Sequence, residues 1–168
     1  MCPLTLGSMH LSATKKYEVQ RTNNFEVQID GLSSDITLLV QSCPLPTTTN
    51  EAIELNYGNS KVKVAGKANF EEIEITVLDA IGVDTEAKLC GWRKQVYDPE
   101  TDKIGFAADY KKNGRIYQYA PDGTYIRTWK IIGAFPTSLN LGELSYENSD
   151  KKTISMTLSI DKAVPVRE

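Results

Sequence analysis

Apolar and polar residues alternate with period two over most of the chain beyond residue 24, the spacing that gives a strand one buried and one solvated face. Phe25, Val27 and Ile29 alternate with Glu26, Gln28 and Asp30 and stop at Gly31. Residues 36–40 are a shorter apolar run, expected as the hairpin partner of that first strand. Pro44 and Pro46 lack the amide hydrogen a ladder needs, so regular pairing halts there and residues 47–50 extend the loop. Ile53, Leu55 and Tyr57 then alternate with Glu54 and Asn56, the stretch Gly58-Asn59-Ser60 reverses the chain, and Val62 and Val64 alternate with Lys61 and Lys63 up to Gly66. In residues 70–78, Ile73, Ile75 and Val77 oppose Glu72, Glu74 and Thr76.

One segment changes period. After Asp84, which is expected to cap it, Leu89, Trp92 and Val96 recur at spacings of three and four, predicting one helix that ends near Tyr97-Asp98-Pro99. A polar stretch over 100–113 reads as a surface loop. Strands resume at 115–120 and 125–132 around a Pro121-Asp122-Gly123 turn, the chain bends at 134–137, and 144–147 reads as a short strand. The cleanest alternation is the last: Ile154, Met156, Leu158 and Ile160 against Thr153, Ser155, Thr157, Ser159 and Asp161. The expected fold is mainly β, two packed antiparallel sheets forming a sandwich or barrel with one flanking helix. Residues 1–23 read as a flexible arm, 24–162 as the single β domain and 163–168 as a short tail.

Composition narrows the function by exclusion. Of 168 residues, 40% are apolar and 24% charged, and the formal net charge is −3, with basic residues scattered. The chain as a whole therefore offers no electrostatic pull on nucleic acid. No apolar run is long enough to span a bilayer, so no membrane role is expected. The single histidine, His10, falls in the arm, where no scaffold could hold it as a catalytic base. Cys2, Cys43 and Cys90 stand at no metal-ligand spacing and read as free thiols. Asp98, Glu100 and Asp102 imitate the start of a calcium loop, but Pro99 intervenes and the later glycine and glutamate are missing. No phosphate loop or dinucleotide fingerprint occurs. No catalytic residue, cofactor or metal is expected, and the residues alone point to a binding or structural protein.

Several short stretches, in this order, resemble the tail tube proteins of contractile-tailed bacteriophages. They are Asn24-Phe25-Glu26-Val27-Gln28-Ile29, Cys43-Pro44-Leu45-Pro46, the run from Lys63-Val64-Ala65-Gly66 through Phe70-Glu71-Glu72 to Thr76-Val77, Trp92 in the helix, and Tyr110-Lys111-Lys112 before the hairpin. Gly133-Ala134-Phe135-Pro136-Thr137, Gly142-Glu143-Leu144 and residues 148–160 complete the series. The resemblance covers roughly residues 24–162 and leaves the arm outside.

The resemblance implies a structural subunit, not an enzyme. Six copies would join sheets edge to edge into a ring with a continuous inner β-barrel. Rings would stack into a hollow conduit in the virion tail, made in the host cytoplasm. The implied partners are further copies of the chain, a contractile sheath, a tape-measure protein, baseplate and tail terminator proteins, and DNA that passes through the lumen without specific binding. The polar faces of Glu72, Glu74 and Thr76 and of Ser155, Thr157 and Ser159 are the candidates for the lumen, because they offer phosphate no cation. The excursion bearing Ile53, Glu54, Tyr57, Lys61 and Lys63 is the candidate for contacts between rings, together with the arm. The alternatives are the inner tube of a phage-like bacteriocin, an extracellular contractile injection system or a type VI secretion system, and, from another class, a β-sandwich binding module.

Overall fold

A single long strand organises the molecule, a computed structural model of which describes residues 19–147 and 150–166. In chain order the elements are β1 (Phe25–Ile29), α1 (Ser34–Leu39), β2 (Val40–Ser42), β3 (Thr48–Tyr57), β4 (Ser60–Phe70), β5 (Ile73–Leu78), α2 (Thr85–Val96), β6 (Tyr97–Asp98), β7 (Lys103–Ile104), α3 (Ala107–Tyr110), β8 (Lys112–Tyr119), β9 (Tyr125–Asn140), β10 (Thr153–Ser159) and β11 (Lys162–Val166). The first half of β9 is flanked by β8, which pairs onward with β1, and by β11. Its second half pairs β10, which continues through β5 to β2. All these pairs are antiparallel. One strand thus belongs to both layers, and the sheet does not close on itself.

The turn from one layer to the next falls at Gly133, whose φ of +69° is left-handed. Opposite it, the Asp161 amide donates to the Ile132 carbonyl at 3.1 Å, where β10 gives way to β11. Lys111 Nζ holds the Asp161 carboxylate at 2.6 Å. Both neighbouring strands therefore bend at the same place. A side chain at Gly133 would run into that carboxylate. Only glycine combines the positive φ with the close approach.

The alternation read from the sequence sets the core. Val27, Ile116 and Ile131 from the first layer meet Ile75, Val77, Ile154, Met156 and Leu158 from the second, all 3% exposed or less. Helix α2 packs on β9, burying Leu89 and Trp92. The Trp92 indole donates to the Tyr110 carbonyl at 2.8 Å, and Lys112 Nζ lies 5.1 Å from its ring centre.

Several expectations are corrected. Residues 36–40 do not form the hairpin partner of β1: most of them lie in α1, which buries Ile36 and leaves Leu38 at 86% exposed, and β1 pairs β8 instead. The polar Ser33-Ser34-Asp35 entry and the three-residue spacing of Ile36 and Leu39 favour a helical turn over alternation. Three helices therefore stand among the described residues rather than one, since α3 also interrupts the expected 100–113 loop. Residues 144–147 form no strand. Asp84 sits at the start of α2 with φ +52°, but its side chain makes no capping hydrogen bond; its carbonyl accepts from Lys88 N instead. Residues 163–166 lie in β11, and residues 1–18, most of the expected arm and the place of His10 and Cys2, are outside the described residues.

Candidate functional site

Among the described residues no three metal-ligating side chains cluster. None of the described helices is long and apolar enough to cross a membrane. The features with a surface chemistry of their own are a polar sheet face and a projecting hairpin.

The polar face is built by register. In the β10–β5 ladder Ser155 lies opposite Thr76 and Thr157 opposite Glu74. The two strand faces singled out in the sequence are therefore one surface, laid side by side, because the apolar partners Ile75, Val77, Ile154, Met156 and Leu158 all turn to the same core. β9 extends it, with Asn140 opposite Ser155, Ser138 opposite Thr157 and Phe135 opposite Ser159. Ser42 of β2 extends it on the other side, opposite Thr76. Glu72 stands just ahead of β5, outside the strand. Ser138, Asn140 and Ser42 were missed in the sequence. The first two alternate with Leu139 and Leu141, a signal hidden by reading 134–137 as a bend.

No strand position on this face carries lysine or arginine. The cations nearest its ends are engaged elsewhere. Lys151 donates to the Gln41 side chain at 2.7 Å and Lys111 is held by Asp161. Lys152 pairs with Asp79 and Glu86, at 2.9 and 2.6 Å, tying β5, β10 and α2 together. Both carboxylates raise the Lys152 pKa, Glu86 most, so the clamp keeps its charge at any physiological pH.

The hairpin β3–β4 stands apart from the sheet. Its register places Ile53 opposite Val64 and Leu55 opposite Val62 on one face, and Glu54 opposite Lys63 and Asn56 opposite Lys61 on the other. Gly58, at φ +60°, makes the reversal. Glu54 takes Lys61 at 3.0 Å and Lys63 at 3.5 Å. The candidates named from sequence are thus gathered in one hairpin but divided between its faces: Ile53 on the apolar side, Glu54, Lys61 and Lys63 on the charged side, and Tyr57 at the tip opposite Ser60. Ile53, Leu55, Tyr57, Val62 and Val64 are all between 42% and 80% exposed. A two-stranded hairpin is marginal in water without a packed face, so this one has the make-up of an element completed by another surface.

Neither of the two described cysteines is activated as a nucleophile, since burial raises the pKa of both. Cys43 and Cys90 are free thiols, and burial pushes the Cys43 pKa up to about 12. Since the thiolate is the reactive species, Cys43 in the folded chain should alkylate with iodoacetamide at pH 8 at least about a hundredfold more slowly than after denaturation. Peptide mapping by mass spectrometry checks this.

Comparison with known proteins gives the family and the fold. A model of the family "T4-like virus tail tube protein gp19" matches residues 21–163. The tail tube protein gp19 of Enterobacteria phage T4 is 31% identical over 147 residues, covering 84% of this chain and 88% of that protein. Among solved structures, the sheath–tube complex of the extracellular contractile injection system PVC contains a chain that superposes with TM-score 0.70 at 18% identity, covering 98% of this chain and 99% of that one. A chain of the anti-feeding prophage tube-terminating cap reaches TM-score 0.71 at 18% identity, covering 89% and 92%. The family match spans nearly the whole described β domain, and the fold agrees with it: the chain belongs to the T4-like tail tube protein family, a family of structural subunits.

Proposed function

We propose that the chain is the wall subunit of a bacteriophage tail tube. Six copies join their sheet margins into a ring whose inner barrel is faced by the polar surface of β2, β5, β10 and the second half of β9. Rings stack through the β3–β4 hairpin into a conduit for DNA in the virion tail. A contractile sheath surrounds the tube, a tape-measure protein fills it before DNA passes, and baseplate and terminator proteins close its ends.

The observation that carries this reading is the polar face of Glu74, Thr76, Ser138, Asn140, Ser155 and Thr157, whose strand positions hold hydroxyls, an amide and a carboxylate but no cation. A polyanion moving past many copies must not be gripped, and every lysine that meets phosphate adds affinity by releasing counterions. The layer also has free margins: β2 covers β5 at only two positions, and β8 leaves β9 after Ala134. Open sheet edges are aggregation-prone unless paired, and ring closure pairs them with copies of themselves. Head-to-tail stacking through a hairpin that its own subunit does not cover gives an open filament, as heterologous contacts do.

Negative-stain microscopy of the assembled chain tests the proposal at its base: rings or hollow rods are expected, and a protein that never encloses a channel would end it. The lumen assignment has its own test. Glu74→Lys with Thr76→Lys should leave tubes intact yet slow DNA ejection by about tenfold or more, since every ring gains a set of phosphate contacts. Ejection at the unaltered rate would move this face away from the lumen.

The second reading, the inner tube of an injection device, draws on the fold shared with the PVC tube complex. The 31% identity to the phage T4 protein favours the phage. Capsid, portal and terminase genes beside the coding sequence decide between them.

A further inference from the structure

We infer that the solvent face of the other layer, around Arg115 and Lys130, is a docking surface for a carboxylate-rich segment of the surrounding sheath. The inference rests on the tube reading above and adds to it a place and a chemistry. In the β8–β9 ladder Arg115 lies directly opposite Lys130, and both are exposed. Like charges facing each other across a ladder destabilise it. Neither residue forms an ion pair among the described residues. The Arg115 guanidinium donates only to the Tyr117 hydroxyl, at 3.4 Å. The next residue of β11 on the same row is Val164, opposite Lys130, and Lys162, two residues earlier, adds a third exposed cation to the same face.

The surroundings are shaped to hold something. Arg115, Tyr117, Tyr125, Thr128, Lys130 and Val166 line a groove of about 420 Å³. Thr128 is its floor, 6% exposed, and the Tyr117 and Tyr125 rings meet edge to face at 6.4 Å in its wall. Two carboxylates share this face: Glu26 is already taken, accepting from the Tyr119 hydroxyl at 2.9 Å and from Gln28 at 2.7 Å, and Asp30 acts on Arg115 only through space, without forming an ion pair with it. What is missing among the described residues is a carboxylate in direct contact with either cation. A carboxylate seated between Arg115 and Lys130 would relieve their repulsion, and the aromatic and valine walls would exclude water around it.

Geometry selects the sheath as its source. The core lies between the two layers, with Val27 and Ile116 on one side and Ile75 and Met156 on the other. If the polar face of the second layer lines the lumen, the groove points away from the tube axis. Nucleic acid fits less well, because only a few cations stand here and Glu26 lies among them.

The test assembles the full chain with its sheath protein and measures sheath recovered per tube by sedimentation. Arg115→Glu with Lys130→Glu should cut the recovered sheath at least about tenfold while tubes of normal diameter still form. Arg115→Lys with Lys130→Arg, which keeps both charges, should sheath normally. If the charge-reversed chain does not fold, Arg115→Gln with Lys130→Gln takes its place, with a smaller loss expected. Normal sheathing of charge-altered tubes overturns the inference, as does loss of sheath in the charge-keeping variant. Retention of a short DNA duplex by unaltered tubes, abolished by charge reversal while sheathing is normal, would reassign the groove to nucleic acid. A chain that builds no tube even unaltered contradicts the tube reading itself; binding of the monomer to immobilised sheath protein then decides the groove alone.

Discussion

Tubes should fail to form when Ile53, Leu55 and Val64 are all replaced by aspartate, while the subunit folds as before. The three side chains share the apolar face of the β3–β4 hairpin and contribute nothing to the core cluster. The loss of subunit stability is therefore expected to stay within about 1 kcal/mol, the range of surface changes. Assembly is another matter. Each residue is about half exposed in the lone chain, so burying the remainder against a neighbour is worth roughly 1 kcal/mol per residue. A buried unpaired carboxylate in its place costs several times that. Because every ring interface repeats the loss, the outcome should be nearly all-or-none. Circular dichroism and urea melts report the fold, and microscopy or sedimentation reports the tube. Aspartate-bearing chains that still polymerise would show that the hairpin is not the stacking element. The charged face provides the contrast. Glu54→Gln disturbs only exposed pairs with Lys61 and Lys63, each worth about 0–1 kcal/mol, and should change assembly little.

Gly133→Ala should be strongly destabilising for a single added methyl. An alanine held at φ near +69° costs about 1–2 kcal/mol. Its methyl would also collide with the Asp161 carboxylate, in a corner where both strands are fixed by the Asp161–Ile132 hydrogen bond. The sum should reach about 3 kcal/mol, a fall in melting temperature of roughly 6–12 °C for a chain of this size. Adding Asp161→Ala removes the collision and should recover part of the loss, even though the Lys111 pair goes with it, because that pair is partly exposed and contributes little. A double-mutant cycle by urea denaturation isolates the coupling. Without such recovery, the damage comes from the backbone angle alone.

The strands buried on one side were legible because Ile73, Ile75 and Val77, and Ile154, Met156 and Leu158, each repeat with period two and have no competing reading. Where the apolar spacing fits both periods, as at Ile36, Leu39 and Val40, tertiary contacts decided, and β5 took Val40 as a partner instead of β1. Strand order was not legible. Nothing local in residues 72–76 and 155–159 announces that they lie side by side, so one surface was read as two. Nor could periodicity reveal that β9 continues through Pro136, because proline and the preceding glycine are breakers in most contexts; here Pro136 packs inward beside Leu158 at an irregular step in the ladder. The hairpin was visible as alternation, but its partition into an oily and a charged side needed the register that pairs Ile53 with Val64.

Because β9 runs without interruption from the layer bearing Arg115 and Lys130 to the layer bearing Glu74 and Thr157, the two layers of the subunit share one covalent backbone. A shear between them, such as a collapsing jacket would impose on the wall, must stretch peptide bonds rather than merely slide one sheet over another. A wall made this way should transmit axial thrust as a rigid piston, its weakest planes lying between subunits and not within them.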